Sequence, residues 1–221
     1  MWFGWAVAIV LAQPPPQELV SKARQAMIAG QMETAEKLLQ AAVSADPGSP
    51  GPRFLLGFCL YLENDFNRAE AALALADQKD ARVNLYRALS EEGLGHVEAA
   101  TGFYKQALRL APRDTETHVA YARLLRKLGQ REQAETLIDA ALKITPGGRD
   151  VLYAKGQCLF DRGEYAHAAE FGERALSAQG PAPSDREIHF LLTRAYLKAG
   201  KPDLSAKHRA VFESLPMPLV R

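Results

Sequence analysis

Residues 127–146 read Lys-Leu-Gly-Gln-Arg-Glu-Gln-Ala-Glu-Thr-Leu-Ile-Asp-Ala-Ala-Leu-Lys-Ile-Thr-Pro. Gly129 ends one helical run. Ala134 sits early in the next, and Ile138 and Ala141 continue its apolar face at i+4 and i+7. Pro146 stops it, because proline has no amide proton for a continuing helix. The same order of Gly, Ala, large apolar residue, Ala and Pro recurs along the chain. Aligning the first Ala gives Ala35, Ala69, Ala100, Ala134 and Ala168, with Ser205 in sixth place. The steps are 34, 31, 34, 34 and 37 residues. The short step loses three residues around Gln78 to Arg82, and the long one gains three at Pro181-Ala182-Pro183. Both are expected in turns, where length is tolerated.

Composition agrees with a helical, water-soluble array. The 221 residues carry 27 basic and 26 acidic side chains, a net charge of +1, and 48% hydrophobic residues. Ala is abundant and β-branched runs are scarce, which favours helix. No basic run stands out, so binding to nucleic acid through phosphate neutralisation is not expected. Cys59 and Cys158 have no metal-ligand spacing and share one repeat position three units apart. Equivalent sites that far apart in a stack cannot reach disulfide distance, so both read as small packing residues.

A 34-residue helix-turn-helix period resembles the tetratricopeptide repeat family. The resemblance covers roughly residues 17–215. It implies an all-α, right-handed α-α superhelix, or solenoid, of about six helix-turn-helix units. These fall near 17–48, 50–80, 81–114, 115–148, 149–182 and 186–215. Position 8 of each unit is small in five cases: Ala23, Gly57, Ala88, Ala122 and Gly156. Position 24 is Leu39, Leu73, Tyr104 and Ile138, then Gly172 and Arg209. Position 27 is Ala in five units and Phe212 in the last. The family's large aromatic at position 4 is missing; His118 and His189 stand there in two units. Pro202, Ser205 and Arg209 make the last unit irregular, as the open end of a stack requires.

In this family, positions 5, 9 and 12 of each first helix face the concave groove, which defines the candidate site. The groove residues expected here are Phe54, Phe58, Tyr61, Leu85, Leu89, Arg123, Arg126, Tyr153, Gln157, Phe160 and Arg194. Across all six units the stripe is mostly apolar, with four Arg and one Glu. Two readings stand side by side. In one, the aromatic residues form shelves for a partner protein or peptide, and Arg123 and Arg126 receive a carboxylate. In the other, tight curvature half-buries the stripe between first helices. The family's clamp for C-terminal carboxylates is not reproduced: of Val20, Arg24, Leu55, Arg82 and Tyr86 at its positions, only Arg82, and loosely Arg24, fit.

Catalytic and cofactor patterns are absent. The five histidines form no close ligand pair, Gly93-Leu94-Gly95 lacks the third glycine of a dinucleotide loop, and there is no Gly-x-Ser-x-Gly elbow. The expected function is therefore a non-catalytic scaffold or adaptor without cofactor. The alternatives are a structural subunit that assembles through its convex face or ends, and a carrier of lipid or carbohydrate. Residues Met1–Ala12 form an uncharged apolar run too short to span a bilayer. Val10 and Ala12 suit signal cleavage before Gln13, so export to the periplasm or outside the cell is expected, with a Pro-rich leader at 13–16 and a C-terminal tail at 216–221. An apolar arm folded back on the first helix and a membrane anchor are the other readings of residues 1–12, and the chain is cytoplasmic if that run is not a signal.

Overall fold

The computed structural model describes residues 14–216. These contain twelve α-helices and no strand. The expected signal segment at 1–12 and the tail beyond residue 216 lie outside the described residues. The helices divide into two compact units, one ending at Gln78 and one starting at Lys79.

The first unit holds α1 (Pro16–Ile28), α2 (Met32–Ala45), α3 (Pro50–Leu62) and α4 (Phe66–Ala74). Each helix packs on the one before it, giving two stacked helical hairpins. Pro16 and Pro50 stand in first turns, where the preset φ of proline helps and its missing amide costs nothing. Ala23, Ala35, Leu39, Ala42 and Cys59 are buried at the crossings. At Gly57, a Cβ would sit 2.4 Å from Leu73 Cγ. Only a hydrogen lets α3 and α4 approach that closely. The turn inside each hairpin needs one left-handed residue; Gly30 supplies it at φ 73° and Asn64 at φ 61°.

The short step in the repeat is not taken from a turn, as expected, but from the end of α4. That helix has 9 residues where the other second helices have 13 or 14. Its freed carbonyls are satisfied by Gln78, whose Nε2 donates to Leu73 O and Ala76 O at 2.9 Å each. A helix can be cut back only where something replaces its lost amides.

The second unit holds α5 (Ala81–Leu94), α6 (Val97–Leu110), α7 (Thr115–Lys127), α8 (Arg131–Ile144), α9 (Arg149–Asp161), α10 (Tyr165–Ser177), α11 (Asp185–Lys198) and α12 (Pro202–Ser214). Consecutive helices pair, and the first helices also meet each other: α5 with α7, α7 with α9, α9 with α11. Ala100, Ala134, Ala168, Ala107, Ala141 and Ala175 are fully buried, as are Tyr104 and Ile138. Burying one large apolar side chain is worth about 1.5–3 kcal/mol, so these seams carry the stability of the unit.

The departures from the repeat pattern have local reasons. Gly172 leaves room for Leu192 of α11, whose Cδ2 would lie 2.7 Å from a Cβ there. Ser205 is buried, and its Oγ donates to Thr193 O at 2.8 Å. Arg186 donates to the carbonyls of Phe212 and Leu215 at 2.6 Å each, closing the end of α12.

One buried polar pair joins these last two helices. His189 of α11 and His208 of α12 face each other with their Nδ1 atoms 2.9 Å apart. His208 Nε2 lies 3.0 Å from Glu173 Oε1, which also accepts from the Tyr196 hydroxyl at 3.0 Å. One Nδ1 must donate and the other accept, so the pair holds at most one positive charge. Burial, and then the His208 ring, lower the pKa of His189; Asp185 and Glu173 oppose this only in part. The native protein thus binds fewer protons than the unfolded chain just below the ordinary histidine value of 6.5. Stability from this group is full above that value and is lost as pH falls through the folded pKa. Lowering pH from 7.5 to 5.5 will lower the melting temperature of wild type more than that of His189→Gln, in parallel calorimetric scans; equal slopes would refute the assignment.

Candidate functional site

In the second unit the first helices α7, α9 and α11 border one cleft of about 580 Å³. Helix α7 contributes Val119, Arg123, Arg126 and Lys127; α9 contributes Asp150, Tyr153, Gln157 and Asp161. Pro183 and Glu187 close the α11 side. These side chains reach the cleft for a simple reason. They recur at three- and four-residue spacing on parallel first helices, so they form one stripe on each.

The polar groups are held by bonds between helices. Arg126 Nε donates to Asp161 Oδ2 at 2.7 Å, and its Nη1 to Gln157 Oε1 at 2.5 Å. Lys127 Nζ donates to Glu92 Oε1 of α5 at 2.7 Å, and Arg123 lies 3.5 Å from Glu92 Oε2. The hydroxyl of Tyr104, a fully buried residue, also donates to Glu92, at 2.9 Å. Burial alone would raise the Glu92 carboxyl, but Lys127, Arg123 and Tyr104 together hold it below the usual carboxylate range.

The candidate residues sort into four groups. Arg123, Arg126, Tyr153 and Gln157 come together in the cleft. Phe160 and Arg194 form a neighbouring stack, with the guanidinium 4.5 Å from the ring centroid. Phe54, Phe58 and Tyr61 lie on α3 of the first unit; the two Phe rings stack at 6.3 Å, and Tyr61 lies 6.0 Å from Phe66. Leu85 and Leu89 of α5 are only 1% and 9% exposed, so they pack within the unit and offer no surface to a partner. The charge expectation also changes. The cleft is lined by three basic and three acidic side chains, so it has no positive excess.

Sequence reasoning overlooked the acidic half of the cleft. A signal was there: position 12 of one unit pairs with position 13 of the next, as Glu92 does with Lys127 and Arg126 with Asp161. Opposite charges 35 residues apart mark both. The same residue, position 12, also meets position 9 of the following unit, as in Arg126 with Gln157 and Phe160 with Arg194.

Arg149 was overlooked too. It is buried, and its guanidinium spans the linker between α10 and α11. Nε donates to Pro183 O at 2.8 Å, Nη1 to Ala178 O at 3.1 Å, and Nη2 to the Asp185 carboxylate. Pro183 lines the cleft, so Arg149 fixes one of its walls from behind.

Tetratricopeptide repeat family models match residues 26–92 and 120–185 of the chain. The cellulose synthase operon protein C of Pseudomonas fluorescens is 27% identical over 209 residues. That match covers 74% of this chain and 16% of the relative, so the chain corresponds to a small part of it. PilF of Pseudomonas aeruginosa superposes with a TM-score of 0.75 at 17% identity, over 90% of each chain. A tetratricopeptide repeat protein of Parabacteroides merdae gives 0.71 at 20% identity, over 92% of this chain and 80% of that one.

Replacing Arg149 by Met keeps the packing but leaves two linker carbonyls without a donor. The expected loss is on the order of 3 kcal/mol, read as a lower urea midpoint. Arg149→Lys restores little, since one ammonium cannot make three bonds of fixed geometry. A wild-type midpoint in Arg149→Met would remove the linker role.

Proposed function

This chain belongs to the tetratricopeptide repeat family, and from that premise we propose a non-catalytic scaffold that holds a segment of a partner protein. The contact surface is the cleft between α7, α9 and α11. The aromatic row Phe54, Phe58 and Tyr61 on the first unit is a second contact.

One observation carries this reading: the cleft has room for side chains, and its walls are held by bonds between helices. Arg126 is tied to Gln157 and Asp161, and the α11 wall is tied to Arg149. A surface already in its bound geometry loses less entropy on association. Tyr153 supplies the large amphipathic side chain that dominates binding energy at many interfaces. Arg126 and Arg123 shape the wall rather than stand ready for a partner carboxylate, since each already faces a carboxylate of this chain.

Tyr153→Ala tests the cleft; because Tyr153 also packs against the core shared by α9, α10 and α11, the variant's melting temperature is measured alongside, whereas Arg126→Ala would break two inter-helix bonds. In cells, photo-crosslinking from a probe at position 123 should trap a partner in wild type. Tyr153→Ala should weaken that complex at least tenfold, about 1.4 kcal/mol. An unchanged complex would sink the cleft as the binding surface.

Export belongs to the same proposal. Among the described residues no helix is long and apolar enough to cross a membrane. The support for export is the uncharged apolar run at residues 1–12. N-terminal sequencing of protein from fractionated cells should find Gln13 first, outside the cytoplasm; an intact Met1 in the cytoplasm would overturn it.

A further inference from the structure

Helices α7, α9 and α11 run the same way, because each is separated from the next by one antiparallel helix. Their first turns carry Glu116, Asp150 and Glu187. Asp150 and Glu187 line the cleft itself. At the other end, Arg126 has Asp161, and Lys127 and Arg123 share the single carboxylate of Glu92. Among the described residues Glu116, Asp150 and Glu187 take part in no ion pair. The charge left unmatched at this end of the cleft is therefore negative.

Helix N-termini favour acidic side chains, and this accounts for part of the pattern. It does not cancel the repulsion among the carboxylates. Burial, then Asp114, and further Asp150 hold the Glu116 carboxyl above its ordinary range. Glu187 is close enough to act on Tyr153, whose phenol is raised first by burial and then by that carboxylate, with Gln157, Arg126 and Arg194 opposing in part. An aromatic face and two carboxylates thus line the same cleft.

Resting on the scaffold reading above, we propose that this end of the cleft receives a Lys or Arg side chain of the bound segment. The cation is held by Asp150 and Glu187, and the alkyl stem lies along Tyr153. A long cationic side chain matches both features, an apolar stem for the ring and a charged head for the carboxylates. A segment presenting a carboxylate here would meet like charge.

Selection from a displayed random-peptide library against the full chain tests this, with Tyr153→Ala as the counter-screen that defines cleft-dependent peptides. Those peptides should carry a Lys or Arg. Asp150→Asn combined with Glu187→Gln should weaken their binding at least tenfold, and Gln still serves the helix cap that Glu187 makes with Ser184. Exchanging the peptide's basic residue for Met should cost wild type a similar factor and the double variant almost nothing. That exchange gives the answer on wild type alone if the variant folds poorly. Cleft-dependent peptides without a basic residue, or with one that can be replaced at no loss, would overturn the inference and leave the scaffold reading standing. A library yielding no cleft-dependent peptide would overturn both.

Discussion

The close approach of paired helices is the constraint from which the rest of this molecule follows. A helix can lie against its partner at short distance only where the crossing residue has little or no side chain. Ala35, Ala69, Ala100, Ala134 and Ala168 meet that demand and are fully buried. Gly57 and Gly172 meet it more strictly, since leucine side chains occupy the space a Cβ would need. Once hairpins close in this way, each exposes an apolar face that only another hairpin can cover. Stacking is then the way to bury it.

Stacking in turn makes a surface that no single hairpin has. Alternate helices come side by side, and residues one repeat apart become neighbours. In the second unit this converts sequence period into chemistry. Position 12 of one repeat bonds to positions 9 and 13 of the next, so a charge can be matched or left over by a single choice per repeat. Arg126 is matched by Asp161, while Asp150 and Glu187 are not matched by any cation of the described residues. A scaffold of this kind can change its charge pattern without changing its fold, because the charged cleft residues lie on first helices and the buried alanines Ala100, Ala134 and Ala168 on second helices.

The repeat was legible because packing imposes fixed spacing on small residues. The turn glycines, the alanine series and the capping aspartates, such as Asp65 and Asp114, can be read one helix at a time. The shortened α4 could not be read in that way. A loss of three residues looks the same in a turn as in a helix end until Gln78 is seen filling the carbonyls. The eleven candidate residues were drawn from one helical stripe, and the structure gave that stripe several fates. Leu85 and Leu89 of α5 went to the buried side. Arg123, Arg126, Tyr153 and Gln157 stayed at the cleft.

The sequence by itself determined the helix pairs, their order, their small crossing residues and the family, since these depend on contacts within about 35 residues that repeat six times. Only the tertiary structure decided which charges are already neutralised. That balance depends on distances between side chains of different repeats, and a difference of a few ångströms separates an ion pair from an open carboxylate. The stretch from Lys127 to Pro146 announces the scaffold, while Asp150, Tyr153 and Glu187 come to line one cleft only when α9 and α11 pack.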